Sequence, residues 1–329
     1  MRITTEQVSK YHPDKYADQI SDKIVNYLIN INPTAKVAVE TLVKDNIVVL
    51  AGEISGVELS QSEASELVRS VAAELNYEVG PIYNFIGQQS VQIKTAVEQD
   101  DLGAGDQGIM FGYATKDTAS LLPYGHDLAN RIIKVIEDDV KNNVFKGDAK
   151  TQVTVDGRDI ISIVISVCHS ENHDIDFIRE YTQNLITLAI PETADAKFII
   201  NPAGTWTIGG PTADAGLTGR KIVADQYGTY FKVGGGAFSG KDLTKVDRSA
   251  AYMARKVAVE IIREHEDIHW AAVQVGYAIG LSKPVLLEIT SNKGDISDLI
   301  DADRFRVANI LKELEGLDLY ELSKGCHFR

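Results

Sequence analysis

Three stretches of this 329-residue chain combine glycine, lysine, histidine and aspartate in ways that suit phosphate and metal chemistry. Residues 235 to 241 read G-x-x-x-x-G-K, a spacing that turns successive backbone N–H groups toward an anion while Lys241 adds charge. Asp242 stands where a P-loop NTPase places the Ser or Thr hydroxyl for Mg2+, so the stretch predicts a phosphate cradle and argues against a phosphotransferase of that class. His12-Pro13-Asp14-Lys15 sets an imidazole, a carboxylate and an ammonium at a predicted helix start. Proline suits that first turn, and so would a metal-phosphate ligand. Gly103-Ala104-Gly105-Asp106-Gln107-Gly108 spells G-x-G-x-x-G, yet an acidic run precedes it and a strand-like run follows, the wrong context for a dinucleotide fingerprint. His265-Glu266-Asp267-Ile268-His269 spells H-E-x-x-H where a helix ends and a strand begins, which separates the two imidazoles that a zinc site needs on one helical face.

The elements that must position these stretches follow from hydrophobic period. Residues 15 to 29 read as an amphipathic helix with Asp18, Asp22 and Lys23 off the apolar stripe, followed by strands over 37–43 and 47–54 joined by a polar turn. Ser60 with Glu63 three residues on is a capping-box pattern that opens a second helix. The order helix, strand, strand, helix recurs at 127–141, 151–155, 160–168 and 174–188, and again at 249–264, 271–279, 284–290 and 302–314. A period of roughly 110 to 120 residues exceeds that of solenoid repeats and predicts three related sheet-and-helix α/β modules. We place them at 1–97, 98–211 and 212–329. Residues 84–114 and 201–247 stand between the modules, Gly-rich, polar and longer than linkers require.

Composition narrows the class. Thirty-three Lys and Arg against 47 Asp and Glu give a net charge of −14, which disfavours a general nucleic-acid binder. Only Cys168 and Cys326 could pair, there is no apolar leader, and no uninterrupted apolar stretch approaches the ~18 residues of a membrane span. The expectation is a cytoplasmic protein with reduced thiols.

Taken together, His12-Pro13-Asp14-Lys15, the 103–108 hexapeptide with Gly112-Tyr113, Gly209-Gly210-Pro211, Gly216-Leu217-Thr218-Gly219-Arg220-Lys221, Gly234-Gly235-Gly236-Ala237-Phe238-Ser239-Gly240-Lys241-Asp242 and Val246-Asp247-Arg248-Ser249 closely resemble the S-adenosylmethionine synthetase family, in the family's order from about residue 3 to about residue 290. The resemblance implies three α/β domains around a pseudo-threefold and active sites shared between paired subunits, as a homodimer or a tetramer. It implies attack of the methionine sulfur on C5′ of ATP, with tripolyphosphate leaving and then hydrolysed to pyrophosphate and phosphate. A thioether carries no proton, so this chemistry asks for cations around the leaving group rather than for a general base. The matched cations are His12, Lys150, Arg220, Lys221, Lys241 and Lys245. The resemblance further assigns ATP contacts to Asp106, Asp148, Thr205, Trp206, Asp214 and Ala237, and methionine contacts to Glu53, Gln89, Asp214 and Lys245. It assigns two Mg2+ per site to Asp14 and Asp247, and K+ to Glu40.

Several positions depart from the family pattern. Lys10-Tyr11 and Thr205 replace its usual residues, and residues 90 to 102, which match its mobile loop, are shorter and differently charged. The resemblance also puts Glu53 and that loop on a site whose phosphate-binding residues lie partly on the other chain, which predicts complementation between a Glu53 and a Lys241 variant. The competing expectation is a homologue that binds ATP and methionine with little or no turnover.

Overall fold

A computed structural model describes residues 2–89 and 102–329. In chain order these form β1 (Arg2–Val8), α1 (Pro13–Ile31), β2 (Lys36–Lys44), β3 (Ile47–Ser55), α2 (Gln61–Glu74), β4 (Ile82–Gln88), β5 (Gly108–Thr115), α3 (Tyr124–Asp139), β6 (Phe145–Asp156), β7 (Asp159–His169), α4 (Ile175–Ala189), β8 (Lys197–Ile200), α5 (Gly210–Ala213), β9 (Gly216–Leu217), α6 (Val246–Glu264), β10 (Trp270–Tyr277), β11 (Leu286–Ser291), β12 (Gly294–Asp295), α7 (Val307–Glu313) and α8 (Leu319–Ser323). Among them no helix is long and apolar enough to cross a membrane.

Three antiparallel hairpins, β2–β3, β6–β7 and β10–β11, centre three four-stranded sheets. The turns carry the expected chemistry: Asp45 and Gly157 adopt left-handed φ of 52° and 62°. After two of the hairpins a helix returns the chain to a parallel edge, α2 to β4 and α4 to β8, since parallel neighbours need a crossover. After the third, β12 turns straight back antiparallel. The other edge of each sheet comes from a distant stretch. β1 pairs with β6, β5 with β10 and β9 with β2, so each of the three linear segments lends one strand to another module's sheet.

The repeated order read from periodicity is present, with α1, α3 and α6 starting a few residues early and the helix expected at 302–314 divided into a 3-10 turn, Ala302–Phe305, and α7. Ser60 and Glu63 make both capping-box bonds. Two hydrophobic clusters fill the interior: one beneath β6 and β7 against α3 and α4, the other joining α1, β2, β3 and α2 to α6, β5 and β10. Because that second cluster packs on α1 from more than one side, α1 has no solvated face over its first ten residues. Asp18 and Asp22, expected off the apolar stripe, are fully buried.

Candidate active site

The first group of candidate side chains gathers at the start of α1. His12 caps the helix, its Nδ1 accepting from the Asp14 N–H at 3.1 Å, which leaves the proton of the neutral ring on Nε2. Burial, with the Lys221 and Lys150 ammonium groups nearby, pushes the imidazole down to about 3. Asp14 accepts from the Leu217 N–H at 3.0 Å and from Lys221 Nζ at 2.5 Å, with Arg220 at 3.7 Å. Burial alone would raise the Asp14 carboxyl, but those hydrogen bonds outweigh it and hold it below the usual range. Lys150 arrives through strand register, paired on β6 with Val8, the last residue of β1. Gly216 is required where β9 crosses α1, because a Cβ there would stand 2.1 Å from the Pro13 carbonyl oxygen.

Asp14, Asp18 and Asp22 lie one helical turn apart, and each accepts a backbone N–H from a glycine-rich stretch: Leu217, Gly219 at 2.8 Å and Gly240 at 2.8 Å. Each also has a cation. Lys221 serves Asp14, buried Lys15 serves Asp18 and Asp225, and Arg248 serves Asp22. One helix face thus fixes both loops that carry the matched lysines.

The second group lies on the loop ending at Lys241. Gly240, at φ +83°, passes so close to β2 that a Cβ would meet the Val39 carbonyl oxygen at 1.9 Å, and Lys241 bridges Ala38 beyond the point where β9 ends. Lys241 Nζ reaches Asp247 Oδ2 at 2.7 Å in the first turn of α6, while Lys245 lies 3.5 Å from Asp242. Gly236 packs flat against Asp247, where a Cβ would come within 2.3 Å of its carboxyl carbon. Beside this loop opens a cavity of about 600 Å3 lined by Glu40, Glu53, Gly235, Ala237 and Lys241. Glu53 and Lys241 therefore flank one cavity of one chain. The cavity continues onto an outward sheet face. Cross-strand register aligns Ala38, Glu53 and Gly87, then Glu40, Ala51 and Phe85, then Leu42, Val49 and Tyr83. Leu42, Tyr83 and Phe85 are 42%, 49% and 68% exposed there, an apolar patch beside two carboxylates.

The remaining residues sit on the central module and the connecting segments. Asp148, buried on β6, accepts from the Gly210 N–H at 2.7 Å, and burial pushes its carboxyl up to about 6 against that bond and Lys150. Trp206 is pinned at both ends: its backbone exchanges hydrogen bonds with His169, and its indole N–H donates to the Ile208 carbonyl at 2.6 Å. Thr205 and Asp214 are exposed, Asp214 accepting from Ala215 N–H. Asp106 is also exposed and takes the Gln107 N–H. Gln89 ends the described part of the first module with its backbone on Ile54, and residues 90–101 of the expected mobile loop lie outside the described residues. Tyr11, one of the departures, packs its ring over Gly147 next to Asp148.

Of the six side chains matched as cations, His12 is a neutral ring, its charge suppressed by burial and the neighbouring lysines; it stands with Lys150, Arg220 and Lys221 around Asp14, while Lys241 meets Asp247 and Lys245 meets Asp242. Asp14, Lys221, Lys245 and Asp247 all stand outside the lining of the cavity at Lys241, which Thr218 and Gly219 close from the side of Arg220 and Lys221. Among the described residues no three His, Cys, Asp or Glu side chains form a metal cage. Single carboxylates beside phosphate-type cation clusters fit a hard divalent ion that completes its shell with phosphate and water oxygens. Sequence reasoning missed Asp18, Asp22, Asp225 and Arg248, although aspartates at 14, 18 and 22 carry the helical spacing that could have revealed them.

The chain matches the family models described as the S-adenosylmethionine synthetase N-terminal domain over residues 1–101, central domain over 101–206 and C-terminal domain over 208–322. It is 40% identical to an S-adenosylmethionine synthase of Maricaulis maris, over 96% of this chain and 85% of that protein. Identity to one from Mycoplasma capricolum is 38%, over 99% of this chain and 92% of that protein. A solved structure, of an unusual S-adenosylmethionine synthetase from Campylobacter jejuni, superposes with a TM-score of 0.88 at 29% identity, over 98% of this chain and 93% of that one.

Proposed function

The chain belongs to the S-adenosylmethionine synthetase family and is a methionine adenosyltransferase acting on ATP and L-methionine, and on that premise we propose how its residues divide the work. In the reaction a lone pair on the methionine sulfur forms the S–C5′ bond. The C5′–O bond breaks with its electron pair going to tripolyphosphate, which water then splits to pyrophosphate and phosphate. No proton moves in the first step. What the protein must supply is alignment of sulfur, C5′ and leaving oxygen, together with fixed positive charge where the leaving group gains negative charge.

His12 donates from Nε2, and Lys150, Arg220 and Lys221 offer charge, to one stretch of the triphosphate; Lys241 and Lys245 serve the other. Trp206, held rigid by His169 and Ile208, stacks on adenine. Asp148, Thr205, Asp106, Asp214 and Ala237 complete the ATP contacts. Glu53, Gln89, Asp214 and Lys245 hold methionine, the carboxylates facing its ammonium and the nascent sulfonium. Asp14 and Asp247 would each hold a Mg2+, and Glu40 a K+, ions whose positive charge would offset that of the phosphates. Lys221 and Lys241 pair with those two carboxylates.

The observation that carries this reading is the presence of two separate carboxylate–lysine pairs, Asp14–Lys221 and Asp247–Lys241, each on a glycine-rich loop clamped to α1. The apolar patch at Leu42, Tyr83 and Phe85 beside Glu40 and Glu53 supports a homodimer in which each site takes one pair from each chain. Incubation with ATP, methionine, Mg2+ and K+ should yield S-adenosylmethionine, pyrophosphate and phosphate in equal amounts. ATP and methionine binding with no S-adenosylmethionine formed would contradict the assignment.

A further inference from the structure

Behind the loop that carries Lys241 lies a buried polar chain that no substrate contact explains. The peptide groups around Lys241 are held on both sides, the Gly240 N–H by Asp22 Oδ1 at 2.8 Å and the Lys241 carbonyl by Arg248 Nη1 at 2.9 Å. Asp22 and Arg248 are themselves joined by two bonds of 2.7 Å, both side chains wholly buried. A guanidinium has five donors, and all five are used here: two on Asp22, one on Lys241, one on the Leu319 carbonyl at 3.5 Å and Nε on the Tyr252 hydroxyl at 2.9 Å. Tyr252 in turn lies 2.6 Å from Nδ1 of His327. With Arg248 donating to its oxygen, Tyr252 gives its proton to Nδ1; the opposite tautomer would leave the tyrosine proton without an acceptor as well as His327 Nε2, which has no partner among the described residues in either case.

His327 lies beyond residue 322, where the family match ends. It is drawn in by its own N–H on the Asp225 carbonyl at 2.8 Å, by the Cys326 thiol on the Gln226 carbonyl at 3.3 Å, and by Phe328 stacked 5.1 Å from Tyr227. From the other side Phe238, in the same glycine-rich loop as Lys241, sets its ring against Tyr252 and His327 at 5.3 and 5.2 Å. Residues 326–328 thus meet the back of the loop twice, by packing at Phe238 and by hydrogen bonds through Tyr252 and Arg248.

We propose that His327 is a positioning residue for Lys241: by taking the Tyr252 proton it keeps the tyrosine oxygen an acceptor for Arg248, which fixes the guanidinium plane that sets the Lys241 backbone. The inference rests on the reading of Lys241 as a leaving-group cation. A buried ion pair holds one geometry only while all its groups are satisfied, and an acceptor lost at His327 lets the hydroxyl rotate its proton toward Arg248.

The test compares His327→Phe, Tyr252→Phe, their double variant and His327→Asn with the full-length protein, each checked by circular dichroism and thermal melting. Phenylalanine keeps ring volume at both positions, while asparagine keeps an acceptor near the place of Nδ1. Each single phenylalanine variant should lower kcat about 10-fold, the weight of one buried hydrogen bond, with the KM for methionine unchanged. The double variant should be no slower than the singles, and His327→Asn should return kcat to within about 2-fold of wild type. Wild-type kcat in His327→Phe, or losses that multiply in the double variant with no rescue by asparagine, would overturn the relay. Lys241→Met separates the two levels: if it retains wild-type turnover the reading of Lys241 is wrong, whereas a dead Lys241→Met beside an unaffected His327→Phe condemns only the relay.

Discussion

Lys241 is constrained at both ends, its ammonium on Asp247 and its backbone by Arg248 on its carbonyl and Asp22 on the Gly240 N–H before it, and this preorganisation is what makes a charge useful in a transition state. Lys241→Met should lower kcat by at least ~100-fold, the scale of losing one such contact, in steady-state assays of a variant that melts like wild type. Asp14→Asn and Asp247→Asn should instead shift the Mg2+ dependence steeply to higher concentration with the fold intact, and an unchanged Mg2+ titration in both would remove them as ligands. At this scale the matched motifs were informative because His, Gly and Lys at those spacings have few other uses. Asp18, Asp22 and Arg248 were not, since a charge in a sequence reads as solvated and only the packed structure shows what shields it.

The elements show why burial could not be read from period alone. α1 has an apolar stripe, yet its acidic face is buried too, because two loops and α6 pack against it. Removing one partner of the wholly buried Asp22–Arg248 pair leaves a stranded charge, so Asp22→Ala should cost about 3–5 kcal/mol in denaturant unfolding, against ~1 kcal/mol for Ser60→Ala at the exposed capping box. Equal losses would mean that α1 does not clamp the loops. α3 offers a pH test through His126, buried beside Thr5, whose imidazole burial pushes down to about 4. The unfolded chain takes up that proton below about pH 6.5 and the folded chain only near 4, so stability falls as pH drops through that window. One proton contributes a slope of at most about 1.4 kcal/mol per pH unit, and His126→Gln should flatten the measured slope by that amount. An unchanged slope would mean that His126 titrates freely in the folded chain.

Across the whole molecule the three-module reading holds because each hairpin recurs with its flanking helices, while the edge strands escaped it. β1, β8 and β9 are too short or too polar to stand out, and the pairing partners of β1 and β9 lie far away in sequence. Those edges do functional work. β1 brings Lys150 toward His12, and β9 leads straight into Arg220 and Lys221, so the exchange of strands among modules builds the first half of the proposed site, while the loop from Gly234 to Lys241 builds its second. The central claim is that two chains each supply one half. It is tested most directly by co-refolding Lys221→Met with Lys241→Met, each inactive alone, and assaying S-adenosylmethionine formation in a mixture shown by mass to contain mixed dimers. Random pairing makes half the dimers mixed, each with one intact site, so activity should recover to about a quarter of wild type. A Glu53→Ala and Lys241→Met mixture, with both lesions on one cavity, should stay inactive; recovery confined to that second mixture, or none in the first, would contradict the account.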